Sequence, residues 1–180
     1  MDCKEALTAS DGDFDKAVEY LRKKGLSAAT KRSSRAAKEG MVASYVHMEG
    51  RIGILVEVNC ETDFVAKTDN FKTMARDIAM QIAATNPKYV RPEDIPEKEL
   101  ESEKEIYRSQ ALQEGKPEKI MDRIIEGKLK KYYEEVCLLD QKFIKDTNIT
   151  VRDLVNGMIA NSGENIIVRR FARFQLGEEL

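Results

Sequence analysis

The chain has little of the chemistry that metal centres and nucleophilic active sites require. It contains one histidine, His47, three cysteines and no tryptophan among 180 residues. A metal site with two histidines is therefore excluded, and so is catalysis built on several histidines. His47 lies in a predicted strand near a turn, a position more typical of a sheet surface than of a general base.

The cysteines and the absence of export signals indicate the compartment. Cys3, Cys60 and Cys137 are odd in number and widely spaced, and no Cys-x-x-Cys occurs, so idle thiols in a reducing environment are expected. No apolar run approaches the roughly 20 residues that span a bilayer, and residues 1–5 lack the layout of a signal peptide. We expect a soluble, cytoplasmic protein with no membrane partner.

The motifs of common enzyme classes are missing. The sequence has no Gly-x-x-x-x-Gly-Lys-Ser/Thr, Gly-x-Gly-x-x-Gly, His-Glu-x-x-His or Gly-x-Ser-x-Gly, which disfavours nucleotide hydrolases, dinucleotide enzymes, zinc proteases and serine esterases. Glu57, Glu61 and Asp63 could form a carboxylate pair or a magnesium site, but solvated acids are favoured. We expect no enzymatic activity, no metal and no cofactor.

Neither sign of charge dominates. The 30 basic and 32 acidic side chains give a net charge of −2, which disfavours a strongly basic nucleic-acid-binding protein. An exception is the alanine-rich stretch 26–40, in which Lys31, Arg32, Arg35 and Lys38 are interspersed. It could contact RNA but has no aromatic residue for base stacking, so a solvated helical linker is favoured and no direct nucleic-acid contact is expected.

The chain does have enough apolar residues, 42% of the total, to bury a core. Period-two alternation predicts a β-hairpin of residues 41–48 and 51–59. A third strand is predicted at 165–176, with one side formed by Ile166, Val168, Ala172 and Phe174. If this strand returns to the hairpin, the fold is α+β, with a small three-stranded antiparallel sheet backed by helices.

Helical periodicity occupies most of the remaining sequence. Pro96 and Pro117 mark the starts of two helices that are predicted to form an antiparallel helical hairpin at about 97–140. Another helix, with Thr68 or Asp69 as its cap, is expected to cover the β-hairpin. The predicted helices span residues 1–8, 13–25, 69–86, 97–114, 118–140 and 150–162.

The connection between the second strand and the next helix carries the candidate binding residues, Thr62, Asp63, Phe64 and Val65. An acid beside a large aromatic, on a short link between two rigid elements, is typical of a contact tip. From spacing alone, a buried Phe64 that anchors the following helix is an equally good interpretation.

At these residues the chain resembles a known family, translation elongation factor Ts (EF-Ts), in its short single-core form. Residues 62–67 match the family signature nearly letter for letter, and further matches lie at Glu126–Lys128, Leu138–Gln141 and Arg170–Glu178. The spread of these ordered motifs over almost the whole chain makes the resemblance specific. One departure is Lys142, where the family commonly has proline.

The resemblance implies a guanine nucleotide exchange factor for the GTPase EF-Tu. In that role the protein binds GDP-bound and nucleotide-free EF-Tu and promotes release of Mg²⁺ and GDP, so that GTP can rebind during elongation. It also implies that Thr62, Asp63, Phe64 and Val65 enter the GTPase near its magnesium site. A rival hypothesis is a helical scaffold or adaptor whose tip is inert.

The resemblance further implies a domain organisation. Residues 1–25 correspond to a partial ubiquitin-associated-like module without the family's first helix, 26–40 to a linker, and 41–180 to a core or dimerisation domain. Longer members carry two related core halves, whereas one sheet and one Thr-Asp-Phe signature are predicted here. A single half leaves a sheet edge or an apolar face that a second copy could cover, so a homodimer is expected.

Overall fold

The computed structural model describes residues 2–179, which divide into two compact units. One unit comprises residues 2–83 and 152–179, and the other comprises residues 84–151. The first unit contains a three-stranded antiparallel sheet together with helices, so the predicted α+β class is confirmed. None of the described helices combines the length and the hydropathy needed to cross a membrane.

The elements agree with most of the predicted strands and helices. In chain order they are α1 (Asp2–Ala9), α2 (Phe14–Arg32), β1 (Glu39–His47), β2 (Ile52–Cys60), α3 (Asp63–Ala66), α4 (Asp69–Thr85), α5 (Glu97–Gln113), α6 (Met121–Val136), β3 (Lys142–Phe143), β4 (Asp146–Thr150), α7 (Val151–Ser162) and β5 (Ile167–Gln175). The one-turn helix α3 and the small β3–β4 pair were not predicted.

The sheet is built on the predicted hairpin. β2 is its central strand, because it pairs antiparallel with β1 on one side and with β5 on the other. The alternation predicted for β2 is confirmed, since Ile54, Val56 and Val58 are all buried. From Ile54 to Val58, β2 therefore places every second side chain in the core, and the strand leads directly to the candidate tip.

Helix α4 adds a second large apolar stripe to the core. Its cap is Thr68, whose hydroxyl accepts a hydrogen bond from the Phe71 N–H at 3.3 Å. The predicted apolar face is confirmed, because its members are buried: Phe71, Met74, Ala75, Ile78 and Ile82. The large members, Phe71, Met74, Ile78 and Ile82, each contribute about 1.5–3 kcal/mol when they leave water, so the two ends of the tip are fixed to well-packed elements.

Strand β5 departs from the predicted pattern at a β-bulge. The sequence predicts a shared side for Ile166, Val168, Ala172 and Phe174. The register of β5 against β2 shifts at Arg169, because Glu57 pairs with Arg170 but Val58 pairs with Val168. One extra residue reverses the alternation, so the first two of the four are buried and the last two are exposed. The prediction of one shared side is therefore wrong.

Helix α2 begins as predicted but ends later. Asp13 caps it by accepting a hydrogen bond from the Lys16 N–H at 3.1 Å, and the helix continues to Arg32 rather than ending at Gly25. Gly25 is buried, and a Cβ there would lie 4.0 Å from the Ala160 Cβ of α7. Gly25 therefore lies inside the helix, facing α7 at an ordinary packing distance, and the alanine-rich segment after it favours continuation of the helix.

The second unit contains the predicted helical hairpin, α5 and α6. Ala111 of α5 clusters with Met121, Ile125 and Leu129 of α6, and most other side chains of α5 are exposed. The second helix ends at Val136 rather than at residue 140, because a 3₁₀ turn at 138–140 follows it.

A half-buried polar contact supports the other end of this unit. The Glu99 carboxylate accepts hydrogen bonds from the Tyr89 and Tyr132 hydroxyls, each at 2.6 Å. Hydrogen bonding to this carboxylate raises the pKa of Tyr89 to about 12. Tyr132 therefore serves packing and hydrogen bonding within the unit, as its sequence context favoured.

Candidate functional site

The candidate tip is a single helical turn held between β2 and α4. Thr62 has an extended backbone and caps α3, with its hydroxyl accepting a hydrogen bond from the Val65 N–H at 3.4 Å. The turn closes on Thr68, whose hydroxyl donates to the Val65 carbonyl at 2.8 Å. The four predicted residues, Thr62 to Val65, thus lie together on one short, internally bonded turn.

Phe64 is the most exposed of the large apolar side chains in the described part of the chain. Its relative exposure is 79%, whereas Phe71, one turn into the next helix, is 0% exposed. The alternative in which Phe64 anchors that helix in the core is therefore wrong. A benzyl ring in water at this position gains nothing for the fold of the chain that carries it.

Asp63 is also accessible but has a local partner. Its carboxylate forms an ion pair with Lys67, four residues later on the same turn. Hydrogen bonding to Lys67 lowers the pKa of Asp63, and the same contact raises the pKa of Lys67. The tip therefore carries an ionised Asp63 carboxylate, next to Phe64 in the chain, whose charge Lys67 offsets. Exposed pairs of this kind are weak, so another cation can displace Lys67.

A glutamate that the sequence did not single out fixes the base of the tip. The Glu164 carboxylate accepts hydrogen bonds from the Thr62 hydroxyl at 2.6 Å and from the backbone N–H groups of Glu61 and Thr62, both at 3.1 Å. Glu164 follows α7 and precedes β5, and it lies 102 residues from Thr62 in the chain. No short-range pattern could reveal this contact, because it depends on β5 returning to β2.

Glu61 reinforces the same junction from the opposite direction. Its carboxylate accepts a hydrogen bond from the Asn165 N–H at 2.6 Å and lies 3.5 Å from an Arg35 guanidinium nitrogen. The Asn165 side chain in turn donates to the Arg35 carbonyl at 2.7 Å. The two glutamates therefore exchange backbone hydrogen bonds between 61–62 and 164–165, and the base of the tip is cross-linked twice.

Cys60 closes the end of β2 beneath the tip. Its thiol is buried and donates to the Thr62 carbonyl at 3.1 Å. Burial raises the pKa of Cys60 to about 11, so the reactive thiolate is scarcely populated at neutral pH. The residue acts here as a small buried donor.

The three acids considered as a carboxylate pair do not converge. Glu57 bonds to Arg170 across the sheet at 2.7 Å, while Glu61 and Asp63 bond to Asn165 and Lys67 respectively. Among residues 2–179, no group of three His, Cys, Asp or Glu side chains is placed to hold a metal ion. What the tip offers chemically is a binding surface: one aromatic ring and one carboxylate on a fixed turn.

The cross-link predicts a local effect of removing the Glu164 carboxylate. Glu164→Ala leaves two backbone donors and a hydroxyl without their acceptor, which should cost about 1–3 kcal/mol of unfolding free energy. Amide hydrogen exchange should accelerate most at Glu61 and Thr62. A matched control, Glu126→Ala on the exposed side of α6, should leave both quantities unchanged; unaltered exchange at Glu61 and Thr62 in Glu164→Ala would contradict the role given to Glu164.

Comparison with known proteins places the chain in a family. The model of the family described as elongation factor TS matches residues 14–178. Elongation factor Ts of Syntrophus aciditrophicus is 73% identical over 180 residues, which cover 100% of this chain and 90% of that protein. Those of Heliobacterium modesticaldum and Carboxydothermus hydrogenoformans are 59% and 60% identical over the whole chain and 84% and 83% of their own lengths. The chain therefore belongs to the elongation factor Ts family, as its motifs predicted.

Proposed function

We propose that the protein is a guanine nucleotide exchange factor for EF-Tu during translation elongation, and that it performs no chemical reaction of its own. The observation that carries this proposal is the exposure of Asp63 and Phe64 on a turn that is rigidly supported from behind. Membership of the family identifies the partner. A cytoplasmic location follows from the same role.

Exchange by such a protein is a linkage effect. A protein that binds nucleotide-free EF-Tu more tightly than EF-Tu·GDP must weaken GDP binding by the ratio of those two affinities. The factor therefore needs contacts that form only when the nucleotide site has opened. A ring that is already exposed, on a turn that needs no reorganisation, can make such contacts at little entropic cost.

The residues of the tip have separable tasks in this proposal. Phe64 enters between elements near the magnesium site of EF-Tu and keeps them apart, while Asp63 repositions polar groups around the bound Mg²⁺ and phosphate. Val65 adds apolar contact behind the ring. Thr62 enters with them, and its hydroxyl also caps α3 and donates to Glu164, which orients the other three.

The domain organisation belongs to the same proposal. Residues 1–25 act as an N-terminal helical module that adds contacts to EF-Tu, and 26–40 connect it to the core at 41–180. The continuation of α2 to Arg32 makes the first part of this connection helical, so the module and the connection share one helix.

We also propose a homodimer that uses the outer face of the sheet. Four apolar side chains on this face are exposed by between 48% and 66%: Val42, Val46, Leu55 and Phe174. They lie on adjacent strands in register, because Ser44 pairs with Leu55 and Leu55 with Ala172. A contiguous apolar patch marks an interface, and a two-fold axis lets the same patch serve both copies.

The exchange proposal predicts the effect of removing the ring. Phe64→Ala should preserve the fold, since the ring is in water, and should slow stimulated GDP release from EF-Tu at least about tenfold, the effect of losing a binding hot spot. Release of a fluorescent GDP analogue, followed by stopped flow, measures this rate. Leu112→Ala, which truncates an exposed apolar side chain of α5, serves as the matched control; a folded Phe64→Ala protein with normal stimulation would instead favour an inert tip.

The dimer proposal predicts that a charged substitution on the outer face of the sheet converts the sedimenting species from dimer to monomer. The wild-type protein should sediment as a dimer at micromolar concentration, and Phe174→Glu should sediment as a folded monomer because two buried carboxylates would face each other across the axis. Leu112→Glu should remain dimeric. A wild-type monomer at that concentration, or a dimer that survives Phe174→Glu together with Val46→Glu, would rule out this interface.

A further inference from the structure

The continuous helix α2 gathers basic side chains along a groove away from the tip. A cavity of about 630 Å³ is lined by Tyr20, Lys23, Lys24, Ser27, Lys31, Arg32 and Arg35. Five of these seven side chains are cationic. The sequence predicted a solvated helical linker at 26–40, and the structure joins its first part to α2, which runs without a break to Arg32.

The charge of this groove is only partly neutralised. Lys23 pairs with Glu19 at 2.8 Å, Lys24 with Glu5 at 2.7 Å, and Arg35 approaches Glu61 at 3.5 Å. All three bases are substantially exposed, and exposed pairs contribute little, so a stronger anion can replace these carboxylates.

Lys31 and Arg32 lack even that compensation. No carboxylate of the described residues lies within ion-pair distance of either side chain, and the Arg32 Nε is inaccessible to solvent with no hydrogen-bond acceptor among those residues. Lys31 and Arg32 therefore add positive charge to the groove that no described carboxylate offsets, and the exposed Lys31 ammonium is accessible to an anion.

We propose that this groove binds the phosphate backbone of single-stranded nucleic acid, which for a translation factor means RNA. The lining extends over 13 residues of helix from Tyr20 to Arg32, or about 18 Å, which suits several consecutive phosphates better than one small anion. Four of the seven lining residues are lysine or serine, which are depleted at protein–protein interfaces, and the other three are arginine or tyrosine, which are enriched there. The charge and the length of the groove, rather than its composition, favour a polyanion. Tyr20 supplies the aromatic surface that residues 26–40 lack, although its hydroxyl is bound to Glu5.

The groove uses neither the Thr62–Val65 turn nor the outer face of the sheet. It shares Arg35 with the Glu61 contact at the base of the tip, and Tyr20, Lys23 and Lys24 belong to the helical module that the exchange proposal assigns to EF-Tu. Lys31 and Arg32 have neither role, so Lys31→Gln/Arg32→Gln can lose RNA binding while stimulated GDP release stays normal, and Phe64→Ala can lose stimulation while RNA binding stays normal.

The salt dependence of the binding constant reports how many phosphates the groove contacts. For single strands the slope of log K against log salt is about −0.7 per neutralised phosphate. Five cations thus predict a slope of roughly −3.5 for a fluorescein-labelled dodecauridylate measured by fluorescence anisotropy, and the double variant Lys31→Gln/Arg32→Gln predicts roughly −2.1. The double variant should also bind at least about tenfold more weakly at low salt, where phosphate contacts dominate affinity.

The controls separate this site from general electrostatic attraction. Lys98→Gln/Lys104→Gln removes the same charge from exposed positions on α5 and should leave slope and affinity unchanged. Circular dichroism establishes that both double variants are folded. Absence of wild-type binding at low salt, or identical slopes for wild type and Lys31→Gln/Arg32→Gln, would overturn the proposal. Displacement of the RNA by poly-glutamate of equal charge at equal concentration would also overturn it, because the groove would then fit an acidic polypeptide.

Discussion

The candidate site depends on one carboxylate that joins distant parts of the chain. Glu164 accepts three hydrogen bonds at the base of the tip, and Glu61 returns one to Asn165. Hydrogen bonds to a charged acceptor are about twice as strong as neutral ones, and here they restrain the backbone immediately before Asp63 and Phe64. An exposed ring is useful for binding only if its position is fixed before the partner arrives. The cross-link between 61–62 and 164–165 supplies that constraint without covering the ring.

The pairing of β5 with β2 also determines which side chains the sheet exposes to solvent. The bulge at Arg169 reverses the alternation, so that Ile166 and Val168 complete the core while Phe174 lies 66% exposed on the outer face. Without the bulge, Phe174 would share the buried side, and the outer face would lose its largest apolar group. The proposed tip and the proposed dimer face therefore both follow from the way one strand docks.

The structural features that depend on local hydrophobic periodicity could be predicted from the sequence. The alternation of β2, the stripe of α4 and the proline-started helical hairpin were all visible, and the signature at 62–67 identified the family. The role of Glu164 was not visible, because its partners are 102 residues away. The face of the sheet on which Phe174 lies could not be predicted either, because it depends on the bulge at Arg169 and no glycine, proline or other turn residue marks that bulge in the sequence. The end of α2 was misplaced because Gly25 was taken as a helix terminus, whereas it lies within the helix, facing α7.

We propose that the supported Asp63–Phe64 pair recognises EF-Tu after its nucleotide site has opened. The decisive experiment is an equilibrium titration of the protein against nucleotide-free EF-Tu and against Mg²⁺·GDP-bound EF-Tu. We expect markedly tighter binding to the nucleotide-free form, with an affinity ratio that equals the factor by which the protein weakens GDP binding and that shrinks when Phe64 is truncated. Equal affinity for the two forms, or a ratio that truncation of Phe64 leaves unchanged, would show that this pair does not drive exchange.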